Sequence, residues 1–266
     1  MQNIIEVRDL VKRFGDITAV NSINFSVNEG EIFGLLGPNG AGKTTIIKVL
    51  TTLLPPTSGQ ALVAGYDVSK KPMEVRRLIG YVPQAISADG SLTGYENLMV
   101  FAKLYDVRRA EQHQRVRDAL AFMGLQESSD RLVRTYSGGM IRRLEVAQAV
   151  LHRPEVLFLD EPTVGLDPVA RKTVWEHLVQ LRERFNMTML ITTHYMEEAD
   201  NLCQRVAIMH LGNMMAMDTP EALKASVGRP ETSLDDVFTH YTGNVLETGG
   251  TFRDTARTRR AARRLG

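Results

Sequence analysis

The chain reads as an α/β protein with a mainly parallel sheet covered by helices on both faces. Three observations carry that reading. Short apolar runs recur at residues 31–36, 156–159 and 188–193, each the length of a strand buried on both sides, with amphipathic stretches of helical length between them. A glycine-rich octet, 37–44, separates the first of these runs from a helical one. At 266 residues and 43 % apolar content, the chain can bury one sizeable core with a smaller lobe attached.

Taken in order, residues 4–10 and 19–27 are β-like and are separated by Phe14-Gly15-Asp16. Residues 31–36 form a buried strand and 44–50 the opening of a helix, which Pro55-Pro56-Thr57-Ser58-Gly59 stops. β-Rich pieces follow at 61–68 and 78–82. The character then changes: 98–105 and 115–123 are helical, with Val116, Leu120 and Met123 on one face and Gly124 suited to the C′ position. Ser137 can cap a further helix on which Ile141, Leu144, Ala147 and Leu151 share a face. Alternation returns with the strand at 156–159. After it, Asp167-Pro168 supplies an N-cap and a proline at N1 for a helix carrying Val174, Leu178, Leu181 and Phe185. Residues 188–193 make another apolar strand, and 205–209 and 214–217, turning at Leu211-Gly212-Asn213, predict a hairpin at the sheet's edge. From about residue 243 the order fades into a tail bearing Arg253, Arg257, Arg259, Arg260, Arg263 and Arg264. That tail is either a solvated end without a role or an electrostatic contact for anionic lipid or a partner.

Lys and Arg number 32 against 31 Asp and Glu, and the resulting charge of +1 argues against a dedicated nucleic-acid binder. Cys203 is the single cysteine, so no internal disulfide can form, and it reads as a small apolar residue beside the helix-like stretch 196–202. The N-terminus has no basic n-region followed by an apolar core, and no run approaches the roughly 18 apolar residues that a membrane span requires. The expectation is a cytoplasmic protein, soluble when alone.

Gly37-Pro38-Asn39-Gly40-Ala41-Gly42-Lys43-Thr44 matches the spacing Gly-x-x-x-x-Gly-Lys-Ser/Thr of a phosphate loop without a gap. Glycines at 37, 40 and 42 let the backbone curl so that successive N–H groups face the β- and γ-phosphates of a nucleotide. Lys43 adds a point charge and the Thr44 hydroxyl a Mg²⁺ ligand, with Thr45 next along the helix. Farther on, Asp160-Glu161 ends the apolar run at 156–159 and so sets two carboxylates at the carboxyl edge of the sheet. One can hold Mg²⁺, directly or through water, while the next orients or deprotonates the water that attacks the γ-phosphate. Tyr136-Ser137-Gly138-Gly139-Met140 is a second turn at the head of a helix, again with free N–H groups and a hydroxyl for an anion.

In this order, 37–44, Gln84, Ser137-Gly138-Gly139, 156–161, Gly165-Leu166-Asp167 and His194 resemble the ATP-binding cassette ATPases, over about residues 4–220. The resemblance implies a P-loop NTPase with a RecA-like, mainly parallel core, an antiparallel β subdomain and an inserted α-helical subdomain. Residues 1–84 and 151–225 would then form the ATP-binding core, 85–150 the helical subdomain and 226–266 a C-terminal extension. The roles it implies are specific. Gln84 senses Mg²⁺ and the attacking water, Asp160 binds Mg²⁺ through water, Glu161 is the base, and His194 contacts the γ-phosphate. Ser137, Gly138 and Gly139 grip the γ-phosphate held by the opposite subunit, Asp167 crosses the dimer interface, and Phe14 either stacks on adenine or is a plain core residue.

Many members have Leu-Ser-Gly-Gly-Gln where this chain has Tyr136 and Met140 at the ends, so Met140 cannot supply a glutamine amide. The run 136–145, with Leu92-Thr93-Gly94-Tyr95-Glu96-Asn97-Leu98, is similar to the daunorubicin-type drug-exporter ATPases of the ABC-2 class. The family geometry implies a head-to-tail homodimer clamping two ATP molecules, docked at the inner face of the cell membrane on a separate transmembrane permease subunit. Import in place of export, a soluble cassette ATPase of repair or translation, and a non-hydrolysing regulatory module are the alternatives. The third would be expected to lack Glu161 or His194, and both are here.

Overall fold

The computed structural model describes residues 2–228 and 232–243. Its first elements are two long strands, β1 (Asn3–Phe14) and β2 (Ile17–Asn28), which pair antiparallel across a tight turn at Gly15 and Asp16. Ile5, Val7 and Leu10 on β1, with Ile23, Phe25 and Val27 on β2, are buried, the alternation of strands with one wet face. Then come β3 (Ile32–Leu36), buried at all five positions, and α1 (Lys43–Leu50). β4 (Ser58–Val63) and β5 (Tyr66–Asp67) follow, then α2 (Pro72–Leu78), which runs directly into β6 (Ile79–Val82).

Two local expectations are corrected here. The β-rich piece at 61–68 is broken by a turn at Ala64 and Gly65, both with positive φ. Residue 78 closes a helix instead of opening a strand. α2 buries only Val75, so it offers no periodic pattern to read.

The helical section comprises α3 (Gly94–Leu104), α4 (Arg109–Phe122) and α5 (Gly138–Val150). α3 starts earlier than its apolar pattern because Thr93 and Glu96 form a reciprocal capping box. Ser137 caps α5 as expected, its Oγ accepting from Met140 N at 3.3 Å. β7 (Val156–Asp160) leads to α6 (Pro168–Phe185), capped by Asp167, and to β8 (Thr188–Thr193). α7 (Met196–Leu202), β9 (Arg205–His210) and β10 (Asn213–Asp218) complete the alternation. α8 (Pro220–Ser226) and α9 (Leu234–Thr242) close the described chain; Leu223 joins the core, as do Leu234, Val237 and Phe238, so the α9 part of the extension expected at 226–266 packs against the body. The arginines at 253–264 lie outside the described residues.

β1, β2, β4 and β5 form a four-stranded antiparallel sheet in the order β2-β1-β4-β5. The second sheet has the order β10-β9-β3-β8-β7-β6, parallel except for the β9–β10 hairpin, whose outer strand is the edge. Apolar side chains divide between its faces. Phe33 and Leu35 point toward α1 and the antiparallel sheet, where Phe25 stacks on Phe33 with ring centroids 5.4 Å apart; Ile32 and Leu36 point toward the cluster that holds α5, α6 and α7. Full burial of a side chain such as Phe33 contributes about 1.5–3 kcal/mol. Because β3, β8 and β7 are adjacent and parallel, with Leu36 opposite Thr193 and Asp160 opposite Thr192, the loops after all three leave the sheet side by side.

Candidate functional site

The loop after β3 is shaped by what crowds it. A Cβ on Gly37 would strike the Met209 carbonyl and one on Gly42 the Ala19 carbonyl, and Gly42 holds φ at +101° as the N-cap of α1. Glycine is required at both positions for the turn to sit this deep. α1 begins its hydrogen bonding at Ile46 N to Gly42 O, leaving the preceding N–H groups of the first turn outside the helical ladder. Lys43 folds back under the loop and donates from Nζ to Gly37 O at 2.7 Å and Pro38 O at 3.0 Å. Asn39 and Gly40 stand exposed at the loop's crest, Ala41 is buried beneath them, and Thr44 and Thr45 are half-buried.

Asp160, 1 % exposed at the end of β7, accepts on Oδ1 from Thr44 Oγ1 at 2.9 Å and from Thr192 Oγ1 at 2.6 Å. Glu161 leaves the strand in the left-handed region, φ +49°, a conformation costing about 1–2 kcal/mol for a side chain with a Cβ. Its N–H is held by Thr192, through the carbonyl at 3.1 Å and the hydroxyl at 3.0 Å. Three groups then converge on its carboxylate: Lys43 Nζ lies 3.4 Å from Oε1, His194 Nδ1 lies 3.2 Å from Oε1, and Gln84 Nε2 donates to Oε2 at 2.9 Å. Burial by itself pushes the Glu161 carboxyl up, but the His194 hydrogen bond and the Lys43 ammonium outweigh it and hold the group below the usual carboxylate range. Burial pulls the Lys43 ammonium down from its ordinary value, and the attraction of Glu161 and Asp160 opposes that without cancelling it. Glu161 thus stays ionised at neutral pH, the form a base needs.

The oxygens of Thr44 and Asp160 are donors of the kind that suits Mg²⁺ supplemented by phosphate and water, while the Gln84 carboxamide turns its nitrogen to the neighbouring Glu161. Their 2.9 Å contact already places hydroxyl and carboxylate at one point.

The other expected site residues do not join this cluster. Ser137 and Gly138 are exposed, while Gly139 is buried where a Cβ would press on Ala170; the turn packs on Leu166 and the start of α6. Asp167 is exposed and caps α6, accepting from Ala170 N at 2.9 Å. Phe14 stands 46 % exposed at the end of β1 with the Lys12 ammonium 5.0 Å from its ring centroid, so it is not a core residue. The unusual flanks of the Ser-Gly-Gly turn serve the scaffold. Tyr136 is buried and donates from its hydroxyl to Ser128 O at 2.6 Å, and Met140 packs against the core.

Sequence reasoning missed Thr192, Glu198, Arg142 and Glu145. Thr192 read as one more residue of an apolar strand. The only available signal was a hydroxyl at a position the strand pattern buries.

Comparison with known proteins matches residues 20–164 to the family described as ABC transporter. The linearmycin resistance ATP-binding protein LnrL of Bacillus subtilis is 41 % identical over 225 residues, which cover 85 % of this chain and 72 % of LnrL. The daunorubicin/doxorubicin resistance ATP-binding protein DrrA of Streptomyces peucetius is 43 % identical over 224 residues, covering 84 % of this chain and 68 % of DrrA. A solved structure described as the ATP binding subunit of an ABC transporter superposes with a TM-score of 0.79 at 29 % identity, covering 90 % of this chain and 99 % of that one.

Proposed function

This chain belongs to the ABC transporter family, and from that premise we propose that it is a Mg²⁺-dependent ATPase subunit energising export of a drug-like or amphipathic compound through a separate membrane subunit. The observation that carries the reading is the convergence of Lys43, Gln84 and His194 on Glu161, beside the Thr44–Asp160 contact.

In this mechanism the loop 37–45 wraps the β- and γ-phosphates with backbone N–H groups, and Phe14 offers its exposed ring to the adenine. Lys43, resting on the loop's own carbonyls and on Glu161, is already desolvated and turns its ammonium to the phosphates when they arrive. Bound Mg²⁺ would be held by Thr44, Asp160 and Gln84 and would neutralise charge on the phosphate oxygens. Glu161 takes the proton of the attacking water, with Gln84 and His194 fixing the carboxylate and His194 also reaching the γ-phosphate. Ser137, Gly138 and Gly139 lie apart from this cluster, so their part is to complete the site of a second copy, head to tail, with Asp167 at the boundary. Residues 1–84 and 151–225 are then the nucleotide-binding body and 85–150 the lobe that carries the grip.

The test is Glu161→Gln, which keeps the shape and the contact with His194 but removes the base. ATP binding should persist while turnover falls by about 10²–10⁴-fold, the range for losing a positioned base. Turnover at the original rate overturns the assignment.

A further inference from the structure

α5 is joined to the segment after β6 by a buried ion pair that the mechanism above does not use. Arg142 and Glu145 lie one turn apart on α5, 2.9 Å from each other, with side chains 7 % and 1 % exposed. Arg142 donates from Nη1 to Pro83 O at 2.8 Å and from Nη2 to Gln84 O at 3.1 Å. Glu145 Oε1 accepts from Ser87 N at 2.5 Å and Ser87 Oγ at 3.0 Å. Both ends of the stretch 83–87 are therefore fastened to one helix, and that helix begins at Ser137-Gly138-Gly139. A helix is stiff over this span, about 12 Å at 1.5 Å per residue. At the other end, the side chain of Gln84 donates to Glu161 Oε2 at 2.9 Å.

We propose that Arg142 and Glu145 are positioning residues that couple the two ATP sites of the dimer. When Ser137 and its glycines engage the partner's ATP, the shift of α5 is passed through the guanidinium to the backbone of Gln84 and so to the base of the subunit's own site. This rests on the two-subunit reading above. Such coupling needs a contiguous physical link with two arrangements, and two bonds from one rigid guanidinium to successive carbonyls transmit both position and orientation. An ordinary core ion pair would hold the fold together and leave the communication between sites unchanged.

The test uses the full-length chain with Mg²⁺ and measures steady-state hydrolysis against ATP concentration. The unaltered chain should show a Hill coefficient above unity. Arg142→Met combined with Glu145→Gln removes both charges together, so neither is stranded in the interior. It should keep half-saturation within about twofold, the sign that ground-state binding is intact. Its kcat should fall by about tenfold to a hundredfold, the scale of a 1 Å misplacement, and its Hill coefficient should fall to unity. Ser87→Ala, which loses only the hydroxyl bond to Glu145, should move the same quantities less, and it carries the test alone if the double variant does not fold. Unchanged kcat and Hill coefficient in the folded variants, or a Hill coefficient of unity in the unaltered chain, overturns the proposal. Light scattering of Glu161→Gln with ATP separates the two levels. Failure of that variant to dimerise sinks the two-subunit reading itself, whereas dimers together with unaltered cooperativity sink only the Arg142–Glu145 link.

Discussion

Thr192 shows how one side chain can organise a site it does not itself occupy. Its hydroxyl donates to Asp160 and accepts from the Glu161 N–H, so the two carboxylates that the chain places in succession are aimed by a single oxygen on the neighbouring strand. Valine has the same outline and neither capacity. Thr192→Val should therefore lower kcat by about tenfold or more, in line with a small misplacement near the chemistry, and should raise the Mg²⁺ concentration needed for half-maximal rate. Thr192→Ser should restore most of both, and ATPase titrations with Mg²⁺ check this. Lys43, Thr44, Asp160 and Glu161 were legible because each belongs to a spacing whose chemistry is local. Thr192 was not, because its role depends on strand β8 lying beside β7 with Thr192 opposite Asp160.

Between α6, α7 and the loop after β7 sits Glu198, 1 % exposed, accepting on Oε1 from Thr163 Oγ1 at 2.8 Å and Trp175 Nε1 at 2.9 Å. Burial pushes its carboxyl above the ordinary Glu range. The native state thus keeps a proton that the unfolded chain releases near pH 4.3, and the stability tied to that proton is full below this value and is lost as pH rises toward the folded pKa. Glu198→Gln keeps the acceptor without the charge. Its melting temperature should match the unaltered chain at about pH 4 and exceed it at about pH 8; thermal melts at the two pH values decide, and an equal difference at both contradicts the reading. At this scale, strands buried on both faces and most helices with several core positions could be read directly. α2, α8 and α9 escaped: α2 and α8 are seven residues long with one or two buried positions, although Thr219-Pro220 is a helix start that could have been seen, and α9 buries Leu234, Val237 and Phe238 behind a Ser233–Asp236 capping box that was equally legible.

For the molecule as a whole, no helix among the described residues is long and apolar enough to cross a membrane. The proposed export role assigns the membrane path to a separate subunit. Purification of the full chain from native membranes should bring down an integral membrane subunit, identified by mass spectrometry, and recovery of soluble partners alone would contradict the transporter reading. The Ser137-Gly138-Gly139 turn first looks like a second anion site without an owner. Its contacts are with Leu166 and Ala170, away from Lys43 and Glu161, which supports the proposal that it completes the site of a second copy.

Local chemistry written along the chain is enough to set the α/β class, the phosphate loop, the paired carboxylates and the caps of α5 and α6. Each of those depends on residues within a few positions of one another, where spacing alone dictates geometry. The meeting of Gln84, Thr192 and His194 at Glu161, and the clasp of Arg142 and Glu145 on 83–87, were decided only by the packing. They join residues far apart in the chain, and their distances follow from strand order and helix docking, which are set by burial of the whole core and by no single segment.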